Sequence, residues 1–211
     1  GKGGSMHMFS REKGFYGGHG IVGAQVPLGT GLAFAHRYRG DGGVAHVYLG
    51  DGAVNQGQVY ESFNMAALWR LPVVFVIENN KYAMGTASVR HAAGQSLAQR
   101  GAAYGIPGES VDGMDVEAVR AAAARALGHA RAGDGPVILE RMTYRFRGHS
   151  MSDPAKYRSK EEVALMRDQH DPIERAKRRL LDAGRIDEAG LKAIDHAVKA
   201  EVAAAADFAQ A

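Results

Sequence analysis

The chain has 211 residues, 45% of them hydrophobic, which is enough to bury the core of one large domain or of a domain with an appendage. Its 26 Lys and Arg are spread among 23 Asp and Glu for a formal charge of +3, and no basic stripe interleaved with aromatics appears, which argues against nucleic-acid binding. Without cysteine there is no disulfide framework, thiolate nucleophile or Cys-ligated zinc, and the longest apolar runs, such as 73–77, fall far short of a membrane span.

The opening "GKGGSMHM" lacks the apolar core of a signal peptide and starts without Met, so the chain is expected to be a piece of a longer one in a reducing, soluble compartment. "GGHGIVGAQVPLGTGLAFAHRYRG" is Gly-rich and turns into a small-residue helical pattern at about 23–38. "VAHVYL" (44–49) reads as a strand ending in Gly-Asp-Gly. The stretch 58–71 then places Val59, Phe63, Ala66, Ala67 and Arg70 at helical spacing before Pro72 stops it. "VVFVIE" (73–78) is an uninterrupted apolar strand, the pattern of a parallel strand buried on both faces. A loop at 79–94 and a short helix lead to a brief strand, "ESVDG" (109–113). Asp115 is a candidate N-cap for an Ala-rich helix to about 132, and a further strand follows at 136–145. Alternating strands and helices predict an α/β fold, a doubly wound parallel sheet over 1–148. A loop with a short helix follows at 149–170. A helical tail occupies 171–211, with starts at Asp171, where Pro172 holds the first turn, and at Asp187.

In a parallel βαβ unit the segments after both strands emerge on one edge of the sheet, so Asp51 and Asn80, about thirty positions apart, can converge. A carboxylate, an amide oxygen and a backbone carbonyl from the following loop are the hard oxygen ligands Mg²⁺ prefers, and Mg²⁺ often completes its shell with phosphates. The glycines flanking Asp51 allow a sharp turn close to an anion, so a diphosphate held through Mg²⁺ fits. Taken singly, Asp-Gly is a common turn and Asn-Asn a common loop cap; their pairing at both ends of one crossover carries the metal assignment.

Gly-Asp-Gly followed by helix, strand and Asn-Asn resembles the thiamine diphosphate binding motif. That resemblance implies Mg²⁺ held by Asp51, Asn80 and the backbone oxygen of Tyr82. "FYGGHGIVGAQVPLGTG", "GDGAVNQGQVYESFNMAALWRLPVVFVIENNKYAMGT", "VDGMD" and "RFRGHSMSDPAKYRSKEE", together with the opening "GKGGSMHMF", are similar to the alpha subunit of the heteromeric pyruvate dehydrogenase component of the 2-oxo acid dehydrogenase complexes. The family's alpha chain is longer at its N-terminus, so part of the cofactor site is expected upstream of Gly1. The resemblance points to Gly20 and Val22 at the aminopyrimidine ring, and to Gly52 and Ala53 by the diphosphate, with Asn55 a less certain neighbour. Close helix packing is the simpler role for the glycines.

His149, in "RFRGHSMSDP", matches the family's active-site histidine, thought to assist acyl transfer, and the resemblance also implies that it borders the cofactor; imidazole suits the task because its ordinary pKa lies near working pH. A lone loop histidine is otherwise an ordinary surface residue. Ser150 and Ser152 stand where some members are phosphorylated, an unmodified loop serine being the simpler alternative. His7 and His19 are weaker candidates for contact with substrate or cofactor. Phe63, Met65 and Trp69 are expected in the core. Arg145 and Arg147 either order the loop, meet acidic groups of a partner or form a solvated patch, and Lys177, Arg178 and Arg179 read as a helix face in water.

The implied activity is thiamine diphosphate- and Mg²⁺-dependent oxidative decarboxylation of pyruvate, with the acetyl group passed to the lipoyl domain of dihydrolipoyl acetyltransferase. The implied assembly is an alpha-beta heterotetramer in which the beta subunit supplies the glutamate that activates the cofactor. No membrane or nucleic acid is involved, and the location is cytoplasmic in a bacterium or the mitochondrial matrix in a eukaryote. Relatives acting on branched-chain 2-oxo acids or acetoin share the motif, and a noncatalytic truncated assembly module is the alternative outside the enzyme class. A nucleotide-binding Rossmann domain is the weakest candidate, because no dinucleotide glycine pattern follows Leu49.

Overall fold

The computed structural model describes residues 4–94 and 96–210; the first three residues of the opening quoted for the family resemblance lie outside them. A bridge between Ser10 and Phe15 closes a turn ahead of helix α1 (Gln25–Arg39), which leads to strand β1 (Ala45–Gly50) and helix α2 (Gly57–Leu68). Strand β2 (Val73–Asn79) is followed by a two-residue hairpin, β3 (Tyr82–Ala83) with β4 (Thr86–Ala87), and by the one-turn helix α3 (Ser88–His91). A 3-10 segment, Ala98–Tyr104, precedes β5 (Gly108–Asp112), α4 (Val116–Arg131) and β6 (Val137–Met142). Helices α5 (Lys160–His170), α6 (Pro172–Asp182) and α7 (Glu188–Gln210) complete the order.

The sheet runs β1-β2-β6-β5 with every pairing parallel, Leu49 opposite Ile77 and Ile77 opposite Glu140. Its faces are covered differently. Val47, Leu49, Phe75, Ile77 and Ile138 pack with α1 and α2 residues such as Val26, Val59 and Phe63. Val74, Val76 and Leu139 meet Ala122, Ala126 and Ala130 of α4 on the other face. Helices on both sides make the sheet doubly wound, as the alternation of elements predicts. Close approach of α1 depends on Gly29, where an added Cβ would fall 2.1 Å from Val47 Cγ2. Phe63 is fully buried among the rings of Tyr60, Phe75 and Tyr104, and such burial contributes about 1.5–3 kcal/mol.

The helix expected over 58–71 ends earlier, at Leu68. Leu71 N donates to the Ala66 carbonyl and Arg70 N to that of Ala67, with Arg70 left-handed at φ 48°, a Schellman closure that takes Arg70 off the helix. Met65 and Trp69, expected in the core, are 42% and 43% exposed. They face outward beside Phe34 of α1, whose ring lies 5.5 Å from that of Trp69, because no further element among the described residues covers that side. Asp115 does cap α4, accepting from Glu117 N and Ala118 N.

Glu140 fixes the loop that returns from the site to the sheet. It is 1% exposed, and its carboxylate accepts from Asn79 Nδ2 at 2.8 Å, Ser96 Oγ at 3.0 Å, and the backbone N–H of Leu97 and Ala98 at 3.1 Å each. Four donors satisfy a buried charge that would otherwise be costly. Glu140→Gln retains one carbonyl oxygen and turns the other acceptor into a donor facing donors. Chemical denaturation should show a loss of about 1.5–3 kcal/mol, the range for hydrogen bonds to a charged group; an unchanged midpoint would refute this role.

Residues 165–211 form a second unit, and the boundary falls within α5. Asp171 caps α6 by accepting from Ile173 N and Glu174 N, and Asp187 Oδ1 accepts from Gly190 N in the first turn of α7. Lys177 pairs with Glu174 at 2.7 Å.

Candidate active site

Because β1, β2 and β6 are parallel, their carboxyl ends open on one edge of the sheet, where ligands of such folds bind. Asp51 follows β1 directly and is 2% exposed. An added Cβ on Gly52 would fall 2.6 Å from Ala83 Cβ, so the absent side chain lets the β3–β4 hairpin close onto the Asp51 turn. That contact brings together the segments carrying Asp51 and Asn80. The two asparagines have different duties. Asn79 bonds Glu140 and accepts from Lys81 N, whereas Asn80 Oδ1 accepts from Tyr82 N at 3.2 Å and keeps a second lone pair. Among the described residues no group of three or more His, Cys, Asp or Glu could hold a metal. A cation here must draw on amide and carbonyl oxygens as well as Asp51, the donor set Mg²⁺ takes.

His91 was not singled out in the sequence, and the structure sets it on Asp51. Its Nε2 lies 3.2 Å from Asp51 Oδ2, while Asn55 Nδ2 lies 3.2 Å from both His91 Nδ1 and the His91 carbonyl. Asn55 closes the 3-10 turn Ala53–Asn55, its N–H donating to the Gly52 carbonyl. Helix geometry leaves the N–H groups of Gly52 and Ala53, at the start of that turn, without a helical acceptor.

The loop carrying Gly20 and Val22 is tied to the start of α2, where Gln58 Nε2 donates to the Val22 carbonyl at 3.1 Å. Gln25 Nε2 donates to the Tyr48 carbonyl, which anchors the start of α1 to the end of β1. An added Cβ on Gly20 would lie 3.6 Å from His7 Cε1, so His7 faces that loop while remaining exposed. His19 is exposed and makes no hydrogen bond among the described residues.

His149 emerges beyond β6 and its loop is fastened to the β3–β4 hairpin. Arg145 Nη1 donates to the Met84 carbonyl at 2.7 Å, and the Tyr157 ring lies 4.7 Å from that of Tyr82. Arg145 Nη2 is 3.4 Å from His149 Nδ1; a guanidinium can only donate, so Nδ1 accepts and neutral His149 carries its proton on Nε2. Asp153 accepts from His149 N, Ala155 N and Tyr157 Oη. Those bonds to His149 and Ala155, then Tyr157, hold its carboxyl at about 2. A lowered carboxyl pKa gives an anchor complete above the ordinary value of 3.8 and lost as pH falls through about 2, so the loop stays tied at working pH. Ser150 Oγ and Ser152 Oγ are 3.0 Å apart and exposed. Arg145 thus orders the loop, and Arg147 is exposed, contributing its carbonyl to Arg158 Nη2.

The family model for the dehydrogenase E1 component matches residues 1–211. The chain belongs to the dehydrogenase E1 component family. Among relatives of this E1 family, the chain is 68% identical over 210 residues to the pyruvate dehydrogenase E1 component subunit alpha of Rhizobium meliloti and 61% identical to that of Zymomonas mobilis. Both alignments cover 100% of this chain and only 60% and 59% of the relatives' own lengths. The mitochondrial subunit of Dictyostelium discoideum is 53% identical over 98% of this chain, itself 54% covered. Among the described residues no helix of this E1 family member is long and apolar enough to cross a membrane.

Proposed function

We propose that this chain is the larger part of the alpha subunit of a pyruvate dehydrogenase E1 component. It would bind thiamine diphosphate through Mg²⁺ and act with a beta subunit, in an alpha-beta heterotetramer, in the oxidative decarboxylation of pyruvate. The acetyl group would pass to the lipoyl domain of dihydrolipoyl acetyltransferase. The observation that carries this is the packing of Gly52 on Ala83, which closes the Asp51 turn against Asn80–Tyr82 at the carboxyl edge of the sheet. The names of the relatives supply the substrate.

The residues present fit the metal and its diphosphate. Asp51, Asn80 Oδ1 and the Tyr82 carbonyl would hold Mg²⁺, and the Gly52 and Ala53 N–H groups would receive diphosphate oxygens. Gly20 and Val22, braced by Gln58, would border the aminopyrimidine. When bound, thiamine diphosphate supplies the nucleophilic carbon and electron sink that 2-oxo acid decarboxylation requires. His149, with Nδ1 held by Arg145, presents Nε2–H as a donor to an oxygen of the transferring acyl group. A phosphate on Ser150 would set negative charge close to the Asp153 carboxylate and strain the anchor of this loop.

Calorimetry on the full-length alpha subunit assembled with its beta subunit tests the proposal. Thiamine diphosphate should bind with Mg²⁺ and lose most of its affinity when the metal is chelated. Binding that ignores the metal, or no binding at all, would overturn it.

A further inference from the structure

We infer that His91, fixed by Asn55, is the positioning residue of Asp51, holding one carboxylate oxygen so that the other is presented to the divalent cation. This rests on the metal site proposed above. Asn55 Nδ2 lies within 3.2 Å of the His91 carbonyl, which can only accept, and this identifies the nitrogen end of the Asn55 amide. The same nitrogen faces His91 Nδ1 at 3.2 Å, so Nδ1 is the acceptor and the neutral ring carries its hydrogen on Nε2. Nε2–H therefore points to Asp51 Oδ2, 3.2 Å away. Among the described residues, Oδ1 of Asp51 accepts no hydrogen bond.

The arrangement is directional. Asn55 sets the tautomer, His91 sets the plane of the carboxylate, and Asp51 keeps Oδ1 for a ligand, as outer partners of metal-binding groups do. All three are held from different elements. Asp51 follows β1, Asn55 ends the turn before α2, and His91 ends α3 after the hairpin. The side chain of His91 is 14% exposed and that of Asp51 2%, so water has little room to replace this hydrogen bond. His91 also links the metal turn to the hairpin that carries the Tyr82 carbonyl, which couples two parts of the ligand set.

Mn²⁺ binding in the presence of thiamine diphosphate, followed by the electron paramagnetic resonance of free Mn²⁺ on the assembled full-length enzyme, decides the matter without an activity readout. His91→Ala should weaken Mn²⁺ about 10- to 100-fold, the range for lost outer partners of a metal. His91→Gln, whose amide can donate to Oδ2, should recover most of that affinity. Asn55→Ala should weaken binding less and add nothing to His91→Ala, because it acts through the ring. Wild-type affinity in His91→Ala, or tighter binding, would overturn the inference, and so would full additivity of the Asn55 and His91 changes. If His91→Ala does not fold, the Gln and Asn55 variants still decide it. Should Asp51→Ala bind Mn²⁺ as well as the wild type, the metal site itself fails, an outcome distinct from the others.

Discussion

Asp51→Ala, in the alpha subunit assembled with its beta subunit, is expected to weaken Mg²⁺-dependent thiamine diphosphate binding by more than about 100-fold, beyond the 10- to 100-fold range of an outer partner. The only carboxylate in the proposed ligand set would be gone, leaving two neutral oxygens for a divalent cation. The change should not destabilise the protein without its cofactor, because a carboxylate only 2% exposed carries a desolvation cost that Ala does not. What disappears is ligand-linked stability, about 2.7 kcal/mol at a ligand concentration one hundred times Kd. Thermal melts with and without thiamine diphosphate and Mg²⁺ should therefore coincide in the variant and separate in the wild type. A variant that still gains the wild-type shift would show that Asp51 is not a ligand. A variant that melts early in both conditions would give the residue a structural role.

Strand β2 was legible because its burial is nearly uniform. It is apolar at every position from Val73 to Ile77, and only a strand covered on both faces tolerates that. Asp115, Asp171 and Asp187 were legible as helix starts because capping is local chemistry. The β3–β4 hairpin was not, since two-residue strands have no alternation to read, and it is held by packing on Gly52. Met65 and Trp69 misled for a related reason: helical spacing shows that they share a side of α2 but not whether another element covers it. Within the site, Asp51 and Asn80 were placed on one edge by topology alone. His91 escaped because its role depends on α3 folding back over the Asp51 turn, and "SVRHAAG" carries no periodicity that predicts such a return.

His149→Ala is expected to reduce the overall reaction, with lipoyl domain as acceptor, about 10²- to 10⁴-fold, the usual contribution of a positioned proton donor or acceptor. Mg²⁺ affinity should be unchanged, because the ring makes no hydrogen bond with Asp51, Asn80 or Tyr82 among the described residues. The loop itself should survive the substitution. Its ties run through Arg145 to the Met84 carbonyl, through Asp153 to backbone N–H groups and Tyr157 Oη, and through the Tyr82–Tyr157 ring contact, and all of them remain. Arg145→Met separates position from chemistry: it keeps the imidazole but removes both the donor to Nδ1 and the bond to Met84. If His149 works through Nε2–H, Arg145→Met should lower the rate less than His149→Ala does, because the imidazole remains. Rapid-quench measurement of decarboxylation apart from acetyl transfer then assigns the step. A loss confined to transfer places the imidazole at the acyl oxygen, and an equal loss in both steps would deny it that place.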